Sequence, residues 1–155
     1  MKRQILWIAM ILAVVAVSSS AYAGDHEYVG AAKCKMCHKV QHASWERTTH
    51  AKATEDVKAS VDREFTPDCL KCHATNGTEE LPGVQCEACH GPGADFKKMS
   101  IMKDLDAAVA NGLVIPTQAT CDGCHTGEDH TKKKVLAEEL YNKAAMHEFK
   151  NIPTE

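Results

Sequence analysis

The sequence predicts a mainly α-helical fold with extensive irregular loops, packed around something other than its own aliphatic side chains. Three observations point there. Strand signals are nearly absent, since Leu113-Val114-Ile115 is too short to carry a sheet. Leu, Ile, Val and Phe account for 20 of the 132 residues after Ala23, about 15%, below the roughly 20% at which chains begin to look unable to fold unaided. The 8 cysteines all lie in that same stretch, as four CxxC pairs with a histidine after each.

The elements follow in chain order. Lys2 and Arg3, an apolar run from Ile5 to Val17 and the small-residue site Ala21-Tyr22-Ala23 read as a cleaved secretory signal over residues 1–23. The apolar run is shorter than the roughly 20 residues that span a bilayer. This leaves one domain, residues 24–155, with no membrane span. Gly24 to Lys33 is a short arm. His38 to about Ser60 has few breakers and reads as one helix, weakened locally at Thr48 and Thr49. A turn-rich middle runs to GPGADF. Ser100 is the expected N-cap of a helix over Ile101 to Ala110, which Asn111-Gly112 stops. A connector containing Pro116 leads to a last helix from about Lys132 to Phe149, supported by Glu139 and Lys143 one turn apart.

The cysteine pattern names the filler. The motifs are CKMCH (Cys34, Cys37, His38), CLKCH (Cys69, Cys72, His73), CEACH (Cys86, Cys89, His90) and CDGCH (Cys121, Cys124, His125). With 9 histidines in 155 residues, four such coincidences have a chance probability on the order of 10⁻⁵, whereas C-x-x-C-H is the attachment signature of haem c. Zinc or disulfides would use the cysteines and leave the histidines unexplained. On a helical turn, positions i, i+3 and i+4 share a face. Two thioethers and one iron-ligating imidazole therefore address a single flat macrocycle. The chain is expected to carry four covalently bound haem c groups, with His38, His73, His90 and His125 as proximal ligands. These macrocycles replace the missing aliphatic core and staple a small scaffold. Sites two and three are close in sequence, and Asn76-Gly77 and Pro82-Gly83 turn the chain between them, so they are expected to be neighbours.

Five histidines remain for the other iron faces. His147 shares a stripe of the last helix with Leu136, Leu140 and Ala144 and is a distal candidate. His50 lies twelve residues after His38; on a continuous helix that turns it about 120° away, toward a different haem. His42, one turn after His38 and near Trp45, is expected to pack rather than ligate. His26 on the arm and His130 after the fourth motif are further distal candidates. Met99 and Met102 are expected as filling, although methionine is also an axial ligand.

The run YVGAAKCKMCHKVQHASWERTTHAKA, the third site GVQCEACHGPG and the ending AMHEF resemble the multihaem cytochrome c-554 family. The resemblance covers most of residues 24–155. It implies a helical, haem-packed fold, electron transfer and an exported location, and distal roles for the histidines at the positions of His50 and His147. The family's histidine shortly after GPG is absent here, where FKKMSIM stands. His26, His130 or a methionine is the substitute to look for. One haem of the family's best-known member is five-coordinate, and the middle of this chain is shorter.

Function follows from crowding. A domain of 132 residues has a radius of gyration of about 14 Å, so four haems lie nearly edge to edge. The leading expectation is a periplasmic electron carrier, not an enzyme, between a respiratory donor and a terminal reductase or outer-membrane acceptor. Reduction of a nitrogen oxide at a five-coordinate iron is one alternative. The other is an extracellular conducting filament, in which a spare histidine ligates a neighbouring copy. Partners are then redox proteins, with Lys33, Lys35 and Lys39 flanking the first motif. Nucleic acid is not expected of a chain with net charge −3. No paired carboxylate, nucleophile triad or phosphate loop suggests other catalysis.

Overall fold

The computed structural model describes residues 26–139 together with Met146 and His147. The expected signal segment, residues 1–23, lies outside them. Among the described residues the regular structure is helical, in short pieces: α1 (Ala31–Lys35), α2 (Lys39–Trp45), α3 (Thr49–Ala59), a 3₁₀ turn (Pro67–Cys69) running into α4 (Leu70–His73), α5 (Cys86–His90), α6 (Met99–Met102), α7 (Leu105–Ala110), α8 (Gln118–Asp122) and α9 (Leu136–Glu139). Ala74 makes isolated bridges to Pro82 and Gly83, which close the turn-rich middle without forming a strand. None of these helices is long and apolar enough to cross a membrane.

The expected helix from His38 to Ser60 is two helices. Thr48 is extended, its side chain accepts from the Ala51 N–H at 3.3 Å, and it is 1% exposed. A buried threonine hydroxyl that caps a new helix outcompetes continuation of the old one. His50 is therefore not offset from His38 by 120° on one continuous helix; its position is set by the second helix. The expected helix over Ile101 to Ala110 is likewise divided. Asp104, not Ser100, caps α7 by accepting from Ala107 N–H at 3.0 Å. Asn111 and Gly112 stop it as expected, with Gly112 at φ 96°.

The last helix does not begin at Lys132. Residues 131–135 are irregular, because their carbonyls are spent sideways: Lys132 C=O meets His125 Nδ1 at 3.0 Å and Lys134 C=O accepts from Gln118 Nε2 at 2.7 Å. Leu136–Glu139 is helical. Leu140, Lys143 and Ala144 lie outside the described residues, and Met146 and His147 are not helical.

The buried apolar side chains described are Ala31, Ala53, Leu70, Ala74, Phe96 and Ala108. Four alanines, one leucine and one phenylalanine make a thin core, as the composition foretold. Polar backbone bracing does much of the positioning. Gly83 N–H donates to Thr54 Oγ1 at 2.7 Å, Thr75 Oγ1 donates to Gly83 C=O at 2.7 Å, and Val84 N–H donates to His50 C=O at 2.8 Å. Gly83 sits at φ 75°, and a Cβ there would lie 2.6 Å from the Ala51 carbonyl. Only glycine permits that approach. The middle segment is thus seated directly against the start of α3.

Candidate functional site: four attachment motifs and their facing imidazoles

Each C-x-x-C-H folds as one helical turn. His38 N–H donates to Cys34 C=O at 2.9 Å and His125 N–H to Cys121 C=O at 2.8 Å. LKCH forms α4 and CEACH forms α5. The i, i+3, i+4 register read from the spacing is therefore the one adopted. None of the eight cysteines is joined to another in a disulfide. No three His, Cys, Asp or Glu side chains among the described residues converge as a metal site.

Thiols of different motifs meet. Cys34 hydrogen-bonds Cys86, which pushes the Cys34 thiol up, helped by burial, and holds Cys86 down. Cys124 is pushed up to about 12, by burial first and then by Cys72. Burial raises Cys89, and Cys121 adds to it. Site one thus adjoins site three, site two adjoins site four, and sites three and four feel one another. The contact between sites one and three accords with the packing of α5 against α1, while Gln85 N–H, just before site three, donates to Thr75 Oγ1, just after site two, at 2.9 Å.

The imidazoles carry the main geometric result. The rings of His50 and His125 have centroids 6.1 Å apart, His73 and His130 6.2 Å with planes 15° apart, and His90 and His147 6.4 Å. A metal–imidazole bond of about 2 Å plus roughly 1.1 Å from ring nitrogen to ring centre, taken on both sides, gives about 6.2 Å. Ordinary ring pairs span about 4.5–7 Å, so the telling feature is that each of the three pairs joins the histidine of a C-x-x-C-H motif to a histidine outside the motifs at this distance. The spacing is that of two imidazoles with one metal atom between them, so the residues fit a haem iron at three sites.

The outer ring nitrogens agree. Nδ1 of His73 lies 3.3 Å from Ala53 C=O, that of His90 3.2 Å from Val114 C=O and that of His125 3.0 Å from Lys132 C=O. An imidazole whose Nδ1–H is held by a carbonyl presents Nε2 as a metal donor, fixed in orientation. Burial keeps His90 below its ordinary pKa, with smaller contributions from His147 and His38, which favours the neutral, ligating form. His38 differs: among the described residues no carbonyl holds its Nδ1 and no histidine ring faces it.

All nine histidines lie within the described residues, so the remaining ones can be placed. His26 Nδ1 contacts Asp95 Oδ2 at 2.6 Å and its ring lies over Gly112; it is not brought to a proximal histidine. His42 is 6% exposed and packs edge-on against Trp45, with centroids 5.3 Å apart, as expected. Met99 is 62% exposed.

Three site-shaping residues escaped the sequence reading. Glu87, 2% exposed inside the third motif, accepts from Val29, Gly30 and Gly93 N–H groups. Asp129 contacts His130 and Arg63. The available signals were faint: an acid inside a motif followed by GPG, and an acid preceding a spare histidine.

A helical scaffold with a thin aliphatic core, four C-x-x-C-H turns and metal-spaced imidazole pairs defines a multihaem c-type cytochrome. The family described as Cytochrome c554 and c-prime matches residues 33–91. Cytochrome c-554 of Nitrosomonas europaea is 35% identical over 147 residues, covering 70% of this chain and 61% of that protein. The chain therefore spans about three fifths of the length of that relative. The solved reduced state of cytochrome c554 from Nitrosomonas europaea superposes with a TM-score of 0.64 at 25% identity, over 81% of this chain and 86% of that one. The chain belongs to the cytochrome c-554 family, whose covalently attached c-type haems match the four motifs.

Proposed function

We propose that this protein is a periplasmic tetrahaem electron carrier, accepting electrons from a respiratory donor and delivering them to a terminal reductase or an outer-membrane acceptor, with no enzymatic step of its own. Residues 24–155 form the mature domain after removal of residues 1–23. Cys34 and Cys37, Cys69 and Cys72, Cys86 and Cys89, and Cys121 and Cys124 form the thioethers. His38, His73, His90 and His125 are the proximal ligands, and His125–His50, His73–His130 and His90–His147 are the axial pairs. The observation that carries this reading is the 6.1–6.4 Å spacing of those three pairs. An iron with imidazole on both faces exchanges electrons without binding substrate.

When bound, the haems supply one-electron redox chemistry, and the polypeptide supplies orientation and electrostatics. The thiol contacts support an order of sites one, three, four, two, which leaves sites one and two as the ends toward partners. Carbonyl-held Nδ1 atoms at His73, His90 and His125 make those imidazoles more electron-rich and lower the potentials of their irons.

The test is purification of the exported protein. Mass spectrometry should show four added haems, reductive titration four one-electron steps, and mixing with an acceptor cytochrome rapid reoxidation. Steady turnover of nitrite, nitric oxide or peroxide would overturn the carrier reading. One observation favours a second reading, in which site one binds a small ligand: no histidine ring faces His38. Carbon monoxide titration of the reduced protein would then saturate at one equivalent per chain, and zero equivalents would remove that reading.

A further inference from the structure

We propose that Arg63 and Asp129 are positioning residues for His130, forming a surface latch that decides how firmly the second face of site two is closed. The inference rests on His73 and His130 being an axial pair, as argued above.

His130 does not sit on a helix. It sits on the loop 126–131, whose base is tied to site four by the contact between His125 Nδ1 and Lys132 C=O at 3.0 Å. The loop is braced internally: Thr126 Oγ1 and Thr131 Oγ1 are 2.7 Å apart, and Thr131 Oγ1 donates to Glu128 C=O at 2.6 Å. Asp129 has φ 52°, the single left-handed non-glycine among the described residues. Aspartate tolerates that conformation better than most residues. There its carboxylate meets His130 Nδ1 at 3.0 Å on one side and the Arg63 guanidinium on the other. With Nδ1 held, Nε2 is the atom left for the iron, and the ring lies within 15° of parallel to His73.

Arg63 comes from the segment that leads into Cys69 and Cys72, the thiols of the same site. The pair therefore joins the two stretches that bring the two axial histidines of site two. His50, by contrast, is the second residue of α3 and its backbone is bonded to Val84, so helix and loop would both have to move to release it. Arg63, Asp129 and His130 are each about half exposed, with side chains at 51%, 57% and 49%. Ion pairs so exposed are weak and screened by salt. Site two is thus an axial pair whose second ligand is held by removable surface contacts.

The experiment uses the four-haem protein and carbon monoxide as probe. Arg63→Gln should speed carbon monoxide binding at site two about two- to fivefold at low ionic strength, the range expected for loss of one exposed ion pair. The difference should shrink in 0.5 M salt, where the Debye length falls to about 4 Å. Asp129→Asn, which keeps a side chain suited to φ 52°, should do the same and move one of the four potentials positive, since a neutral acceptor donates less electron density through His130. His130→Ala is the reference and should add one carbon monoxide-accessible haem. If His130→Ala opens a haem while both latch variants keep wild-type ligand kinetics and all four potentials, the latch is refuted and the axial pair stands. If His130→Ala opens nothing, the pairing itself fails and the latch falls with it.

Discussion

Glu87 offers the most direct check on how the polypeptide holds site three. Its carboxylate is 2% exposed and accepts from Val29 N–H at 2.9 Å, Gly30 N–H at 2.7 Å and Gly93 N–H at 2.6 Å. These bonds tie the arm and the glycine-rich loop to the helix that carries Cys86, Cys89 and His90. Three backbone dipoles, rather than a cation, offset the buried charge. Glu87→Gln keeps the shape and removes one acceptor oxygen, so an amide NH₂ must point at the N–H of Gly30 or Gly93. A lost charge-assisted bond is worth about 1.5–3 kcal/mol and an unsatisfied buried donor about 1–3 kcal/mol. Together they give about 2.5–6 kcal/mol, equivalent to a fall of roughly 8–24 °C in unfolding temperature for a domain of this size. Soret circular dichroism of the matured protein during heating would measure it, with haem content matched by mass. Because the haems stay covalently attached on unfolding, wild type and variant share the same unfolded reference. A midpoint within about 2 °C of wild type would show that the carboxylate does not bind these amides.

Further expectations concern the imidazoles and the backbone. Replacing His50 or His147 with alanine should each add one high-spin, carbon monoxide-binding haem, whereas His26→Ala should add none; magnetic circular dichroism counts the high-spin irons. Asp129 titrates below the usual carboxylate range because of its hydrogen bond to His130 and its contact with Arg63. Its contribution is therefore complete above about pH 5 and fades as pH falls through its depressed folded value. Acid titration should leave site two unchanged at pH 5 and, only as pH falls through that depressed value, speed carbon monoxide binding to the extent seen in Asp129→Asn, which should itself show no such carboxylate-dependent step. Gly83→Ala must accommodate a left-handed backbone and a Cβ 2.6 Å from Ala51 C=O. A cost of about 2–4 kcal/mol and a disturbed His50 ligand are expected, read as a lower unfolding midpoint together with a new high-spin signal. A variant with all eight cysteines changed to alanine should lose its far-ultraviolet helical signal, since the described apolar core is four alanines, a leucine and a phenylalanine.

Local chemistry was legible where it depends on a few adjacent residues. The C-x-x-C-H turns, the glycine stop at Gly112 and the packing of His42 beside Trp45 all follow from spacing of one helical turn. Helix ends were less legible. Thr48 and Asp104 each cap a helix inside what reads as a continuous pattern, and capping side chains compete with helix continuation by amounts similar to propensity itself. The last helix starts later than the sequence pattern indicates because Lys132 and Lys134 carbonyls are claimed by His125 and Gln118, contacts that no local pattern encodes.

Composition and motif spacing alone pointed to haem as the missing filler, to four haems, and to the residues that would attach them, because the attachment signature occupies five consecutive positions. Which imidazole faces which, that His130 rather than His26 stands opposite His73, and that site one adjoins site three were decided only in three dimensions. A facing ligand arrives from a stretch up to 75 residues away, as His50 reaches His125. Its placement depends on the summed course of the intervening loops, so no local rule of residue order can specify it.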